Sequence, residues 1–104
     1  MKFQLVIQFA ANTREEFEDL LELTDSVTNA LAGELETIVD GHDYGLGEFN
    51  IFIHTDDPEE VFAKTADFID RQRPGIPFAA GYRGFDEDTY TVRWPEGAER
   101  FAVS

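Results

Sequence analysis

Residues 40–50 hold the densest group of side chains in this sequence that could do chemistry. One histidine, three acids, one amide and three glycines occur within this stretch of eleven residues. Carboxylates and an imidazole can transfer protons or bind a cationic group, so the stretch is a candidate site. The candidate binding residues are Asp40, His42, Asp43, Glu48 and Asn50. The same composition also fits a purely structural turn, because turns are rich in glycine and in acids that accept N–H groups.

Other patterns of catalytic chemistry are missing from the sequence. There is no cysteine, the serines are Ser26 and Ser104, and the lysines are Lys2 and Lys64. No G-x-x-x-x-G-K-[ST] phosphate loop and no nucleophile-elbow pattern occurs. His42 and His54 are expected too far apart to share a metal ion, since one lies in the hairpin and the other at its far end. We therefore predict no catalytic residue, no metal site and no cofactor.

The elements that position the candidate residues alternate between strand and helix patterns. Capping signals at Thr13 and Asp57, followed by apolar residues at helical spacing, predict helices over 14–32 and 58–73. Gly33 is expected to cap the first helix, and residues 41–47 are expected to form a turn because they contain three glycines. Period-two alternation predicts strands over residues 3–9, 35–39, 49–53, 76–82 and 90–94.

This order of elements predicts one α+β domain covering residues 1–104. Right-handed crossovers and adjacent hairpins turn a β-α-β-β-α-β order into a ferredoxin-like two-layer sandwich. The last strand is expected to pair with the fourth as an extra C-terminal edge strand. Residues 95–104 are expected to form a short tail.

Alternation along the strands also assigns side chains to the two faces of the sheet. Phe3, Leu5, Ile7 and Phe9, with their counterparts Phe49, Ile51 and Ile53, are expected to face the helices. The opposite face mixes polar and apolar residues, and solvent, a ligand or a second subunit could cover it. Its expected members are Gln4, Val6, Gln8, Ile38, Asp40, Asn50, Phe52, His54, Arg83, Thr91 and Arg93.

The net charge of the chain limits the classes of partner that it can bind. Acids outnumber bases by 22 to 8, giving a net charge of −14, so we predict no nucleic-acid partner. The first strand is interrupted by Gln4 and Gln8, unlike a secretory signal, and no stretch is long and apolar enough for a membrane span. These features predict a cytoplasmic protein with no membrane partner. The acidity favours either solubility or steering toward a basic protein.

The hairpin stretch carries a family resemblance. The string DGHDYGLGEFNIFIHTDDP, from Asp40 to Pro58, resembles the D-G-H-D-x-G-x-G-E-x-N-I-F-I-x-T-D-D-P stretch of a family of small bacterial proteins of unassigned function. The resemblance extends to the first strand and to Tyr90–Pro95. Some members bear an ABC transporter ATPase label, which conflicts with the missing phosphate loop. The resemblance implies no activity and assigns no catalytic residue.

Three hypotheses about function remain open at this point. The first is a non-enzymatic acidic binding or regulatory protein, inhibitor- or immunity-like, that acts on a basic protein partner. The second is a small enzyme with acid–base groups in the 40–48 loop. The third is a self-associating protein, a homodimer whose seam is the open sheet face or an edge strand.

Overall fold

The chain forms a five-stranded sheet and two helices. The computed structural model describes residues 1–103, and Ser104, the end of the expected tail, lies outside the described residues. The elements are β1 (Phe3–Ala10), α1 (Arg14–Leu31), β2 (Thr37–Gly45), β3 (Glu48–Thr55), α2 (Pro58–Gln72), β4 (Ala79–Gly84) and β5 (Thr91–Trp94). The strand order is β2-β3-β1-β4-β5, and all neighbouring strands are antiparallel. The α+β class is confirmed.

The core lies between the helices and one face of the sheet. Because side chains alternate across a strand, one face of β1 and β3 supplies the apolar layer against which both helices pack. Fully burying each such side chain contributes about 1.5–3 kcal/mol. The sheet contributes Leu5, Ile7, Phe9, Phe49, Ile51 and Ile53, and the helices contribute Leu20, Leu23, Val27, Leu31, Val61, Phe62 and Ile69.

Both helices begin where the capping signals predict. The Thr13 hydroxyl accepts a hydrogen bond from the Glu16 N–H at 3.1 Å, and the Asp57 carboxylate accepts one from the Glu60 N–H at 3.1 Å. Each bond satisfies an N–H group that has no partner within its helix. The expectation for Gly33 is wrong: α1 ends at Leu31, and Gly33 does not adopt a positive φ. The turn after the helix instead places Glu36 at φ 49°.

Arg73 and Asp19 fasten the two helices to each other. The guanidinium donates to both carboxylate oxygens, at 2.7 and 3.1 Å. This bidentate pairing lowers the pKa of Asp19, because hydrogen bonding from a cation favours the charged carboxylate. No helix in the described part of the chain is long and apolar enough to cross a membrane.

The turn between β2 and β3 is much shorter than expected. The expectation of a turn over residues 41–47 is wrong, because β2 continues to Gly45 and β3 begins at Glu48. Leu46 and Gly47 alone form the turn, at φ 54° and 76°. Two positive φ values are the signature of a type I′ turn, whose twist suits a two-residue hairpin. Most of the predicted loop is therefore edge strand.

Residues that follow β5 return over the sheet face opposite the helices. Val6 is fully buried although its side chain lies on that face. The ring of Phe101 lies on the neighbouring Gly81, where a Cβ would come within 2.7 Å of it. The Gln8 side chain donates to the Ala102 carbonyl at 2.9 Å. The last described residues thus cover the middle of this face. We call the whole side of the sheet opposite the helices the open face.

Two assignments to the open face are wrong. Thr91 pairs with Tyr82, whose ring packs against Phe3, so Thr91 belongs to the helix-facing side. Arg93 also lies on that side, where its guanidinium pairs with Glu59 at 2.7 Å and lies over the Phe62 ring. Thr91 and Arg93 are two residues apart, so ordinary alternation places both on one side of β5, and the expected assignment of β5 to the two faces is off by one residue.

Candidate functional site

The candidate residues lie on the β2–β3 hairpin, and a bulge decides how they are arranged. Asp40 and Asp43 are three residues apart, so regular alternation would send them to opposite faces. The pairing of β2 with β3 skips Asp40, since Val39 pairs with Ile53 and Gly41 with Phe52. Such a bulge re-aims the following side chains by one position. Both carboxylates therefore reach the open face.

Asp43 is held by a row of amide hydrogen bonds that crosses the sheet. The Asn50 side-chain amide donates to the Asp43 carboxylate at 2.9 Å, and the Gln8 amide donates to the Asn50 oxygen at 3.0 Å. Asn50 is buried, whereas Asp43 is exposed. The buried amide fixes one carboxylate oxygen of Asp43 and leaves that side chain oriented at the rim of the sheet.

Asp40 belongs to a second polar row, parallel to the first. The His54 Nε2 atom lies 3.7 Å from the Asp40 carboxylate and 3.2 Å from the Gln4 oxygen. The Gln4 amide then donates to the Tyr90 hydroxyl at 2.9 Å. Sequence reasoning placed Gln4 and His54 on this face but did not link them to Asp40. That link depends on strand register, which alternation alone does not supply.

His42 stands apart from the other candidates. It follows the bulge on the helix-facing side of β2, where its ring stacks on Phe49 with centroids 5.2 Å apart. His54 lies on the open face, so the two imidazoles are on opposite sides of the sheet. No group of three or more His, Asp or Glu side chains within residues 1–103 is arranged to hold a metal ion.

Glu48 begins β3 directly after the turn. It pairs with Gly45 of β2 and Ala10 of β1. Its Oε1 atom is buried and has no hydrogen-bond partner within the described residues. Of the five candidates, the structure therefore brings Asp43 and Asn50 into contact, places Asp40 and Glu48 on the same hairpin, and separates His42.

Exposed apolar side chains follow the same hairpin. Leu35 and Leu46 are 91% and 89% exposed, and Ile38 and Tyr44 are about half exposed. Sequence reasoning placed Ile38 on the open face but did not identify Leu35, Tyr44 or Leu46 as exposed apolar residues, and it assigned residues 41–47 to a turn. These four side chains do not form one patch, because Leu35 and Leu46 flank opposite ends of β2 and Ile38 and Tyr44 lie on opposite sides of it.

The electrostatics of the hairpin are one-sided. Residues 15–63 contain no Lys or Arg, so no base lies on β2, β3 or the turn. Five of the eight bases, Arg14, Lys64, Arg71, Arg73 and Arg93, pair with acids elsewhere in the chain. The pKa of Lys64 is raised, mainly by its hydrogen bond to Glu34, and burial raises the pKa of the Tyr82 phenol. The five paired bases therefore neutralise acids outside the β2–β3 hairpin.

Two depressions of the surface lie away from the hairpin carboxylates. An open depression of about 580 Å³ is lined by residues 1–3 and 84–87. A narrower one of about 220 Å³ lies between the two helices, beside Lys64 and Phe68. Asp40 and Asp43 instead lie on the outer strand of the sheet, and an exposed strand edge suits contact with another macromolecule better than enclosure of a small molecule.

Comparison of the chain with models of protein families, with curated proteins and with solved structures found no match.

Proposed function

We propose that this chain is a non-enzymatic binding protein whose β2–β3 hairpin engages a basic protein partner. The observation that carries the proposal is the placement of Asp40, Asp43 and Glu48 on one hairpin at the edge of the sheet that contains no Lys or Arg. Carboxylates without neighbouring bases create a negative potential that a basic surface would complement. An inhibitor- or immunity-like role is the form of regulation that such a surface would serve.

Leu46 also supports the proposal, because leucine at this position destabilises the isolated fold. It is 89% exposed and occupies the first position of the turn at φ 54°. A type I′ turn prefers Asn or Gly there, because a branched side chain is strained at positive φ. An exposed leucine at this position loses stability without gaining burial. Contact with a partner accounts for a residue that the isolated fold does not need.

The test is a pull-down from native lysate with the acidic hairpin altered. The variant carries Asp40→Asn, Asp43→Asn and Glu48→Gln. Its matched control, Glu15→Gln, Asp25→Asn and Asp70→Asn, removes the same charge from exposed positions on the helices. Unaltered protein and control should retain a basic protein at about 50 mM salt and lose it at about 300 mM, because screening weakens exposed charge pairs.

The hairpin variant should retain little of that protein at either salt concentration. Equal loss from the helix control would assign binding to net charge and contradict the role of the hairpin. Retention of a partner by the hairpin variant would contradict it as well. Circular dichroism of each variant checks that the fold is unchanged.

Three further proposals accompany this one. The element order, with β1 between β3 and β4, supports a ferredoxin-like topology extended by β5, which an experimental structure tests. The stretch from Asp40 to Pro58 supports membership of the family that it resembles. A cytoplasmic location is in keeping with a cysteine-free chain, and fractionation of the native host tests it.

A further inference from the structure

β2 is an edge strand whose outer side nothing in the described chain covers. It pairs only with β3 and is nine residues long, whereas β5 at the other edge has four residues. No backbone hydrogen bond from a loop or a helix within residues 1–103 reaches Thr37–Gly45. Alternate residues of an edge strand direct their N–H and C=O groups away from the sheet, where another strand can pair with them.

The register identifies which residues of β2 do so. In a two-residue hairpin the residues beside the turn, here Gly45 and Glu48, exchange backbone hydrogen bonds. Because bonded and non-bonded pairs alternate, Asp43 is bonded to β3 while His42 and Tyr44 are not. The backbone groups of His42 and Tyr44 therefore point outward, on either side of Asp43.

We propose that the basic partner docks by adding one of its extended segments to β2 as an antiparallel sixth strand. This inference rests on the proposed function and specifies how its partner binds. Asp43 would then occupy a non-hydrogen-bonded position toward the new strand, where opposing side chains approach most closely. A Lys or Arg at the opposing position meets a carboxylate that Asn50 already orients.

The helix-facing side of the same edge selects a different residue type. Tyr44 packs on Phe17, with ring centroids 4.9 Å apart, and remains about half exposed. A partner residue opposite Tyr44 would cover the rest of this ring. The segment that fits β2 therefore alternates basic residues, on the side of Asp43, with apolar residues on the side of Tyr44.

Charge disfavours a second copy of this chain as the occupant. Two β2 strands paired antiparallel would bring the carboxylates of Asp40 and Asp43 together across the new seam, and like charges opposite each other are destabilising. Each copy also carries a net charge of −14. A basic segment would instead attract these carboxylates and the negative net charge of the chain.

The test uses a synthetic peptide of nine residues, the length of β2, in which lysine alternates with valine. Hydrogen exchange of each amide is followed by NMR with and without peptide. The amides of His42 and Tyr44 should slow at least about tenfold on saturation, whereas that of Asp43, already bonded to β3, should change little. A control peptide, N-methylated on alternate residues along the pairing edge, keeps its charge but cannot pair, and should bind at least about tenfold more weakly.

The outcomes separate this inference from the proposed function. Equal binding of both peptides, or binding without protection of His42 and Tyr44, would overturn strand addition while leaving an acidic binding surface intact. Failure of the peptide to bind at about 1 mM would overturn strand addition too. Failure of the proposed function is a separate result, read from the lysate experiment. A dimer of the peptide-free protein that protects the same two amides would assign β2 to a second copy and overturn the inference.

Discussion

At the scale of single residues, several positions are explained by backbone geometry rather than by side-chain chemistry. Asp43 reaches the open face because the bulge at Asp40 shifts the alternation of β2 by one residue, and Leu46 holds a positive φ that its bulky side chain disfavours. Gly81 makes room for the ring of Phe101. Each of these roles depends on a contact or angle that no sequence period encodes.

Replacing Gly81 tests how the last residues are held on the sheet. Gly81→Ala places a Cβ within 2.7 Å of the Phe101 ring, so the ring must move and the cover over Val6 loosens. We expect a loss of about 1–3 kcal/mol in the free energy of unfolding, together with faster carboxypeptidase digestion. Gly33→Ala, with open space around its Cβ, is the control and should change neither quantity. Unchanged digestion of Gly81→Ala would contradict the packing described.

Replacing Leu46 tests the strain in the turn. Leu46→Asn should raise the free energy of unfolding by about 0.5–1 kcal/mol, because asparagine tolerates positive φ and the exposed leucine contributes no burial. Leu35→Asn, equally exposed but without a positive φ, should bring no such gain. Urea denaturation of both variants gives the comparison. A loss of stability in Leu46→Asn would mean that the leucine packs in the free protein.

At the scale of elements, the sequence predicted the helices and the central strands well and the hairpin poorly. Thr13 and Asp57 predict the starts of their helices because capping is a local interaction. The central strands show clear alternation because one face of each is buried, which places Leu5, Ile7, Ile51 and Ile53 in the core. No residue of β2 is fully buried, so its apolar alternation is weak, and its glycines resemble those of a turn. The polar rows through His54 and Asn50 depend on register between distant strands.

The contact between the helices predicts a pH dependence. The pKa of Asp19 is lowered by Arg73, so the pair stabilises the fold above the unfolded-state pKa of Asp and loses this effect as the pH falls through the lower folded-state pKa. Because the carboxylate is half exposed, Asp19→Asn should cost no more than about 1 kcal/mol at pH 7. The difference should shrink as the pH falls through the lowered folded-state pKa of Asp19.

Urea denaturation at several pH values measures this difference. Asp70→Asn, exposed and without an ion pair within the described residues, is the control and should show no such trend. A cost of Asp19→Asn that stays constant down to the lowest pH would contradict an electrostatic origin and assign the effect to packing.

At the scale of the whole molecule, the dominant property is a net charge of −14, concentrated where no base offsets it. Acids repel one another across a compact fold, and added salt screens that repulsion. We therefore expect the urea midpoint to rise between about 20 mM and 500 mM sodium chloride. The variant with three substitutions on the helices, Glu15→Gln, Asp25→Asn and Asp70→Asn, should have a higher urea midpoint than the unaltered protein at low salt. A midpoint that falls with salt would mean that the ion pairs outweigh the repulsion.

Site-directed photo-crosslinking in the native host tests the role of the hairpin most directly. A photoreactive phenylalanine replaces Leu46 or Ile38 on the hairpin, or Asp25 or Asp70 on the helices, all of them exposed positions. We expect adducts with a basic protein from the two hairpin positions and none from the helix positions. We also expect Asp40→Asn, Asp43→Asn and Glu48→Gln to abolish those adducts. Adducts confined to the helix positions, or hairpin adducts that persist in the charge variant, would contradict it.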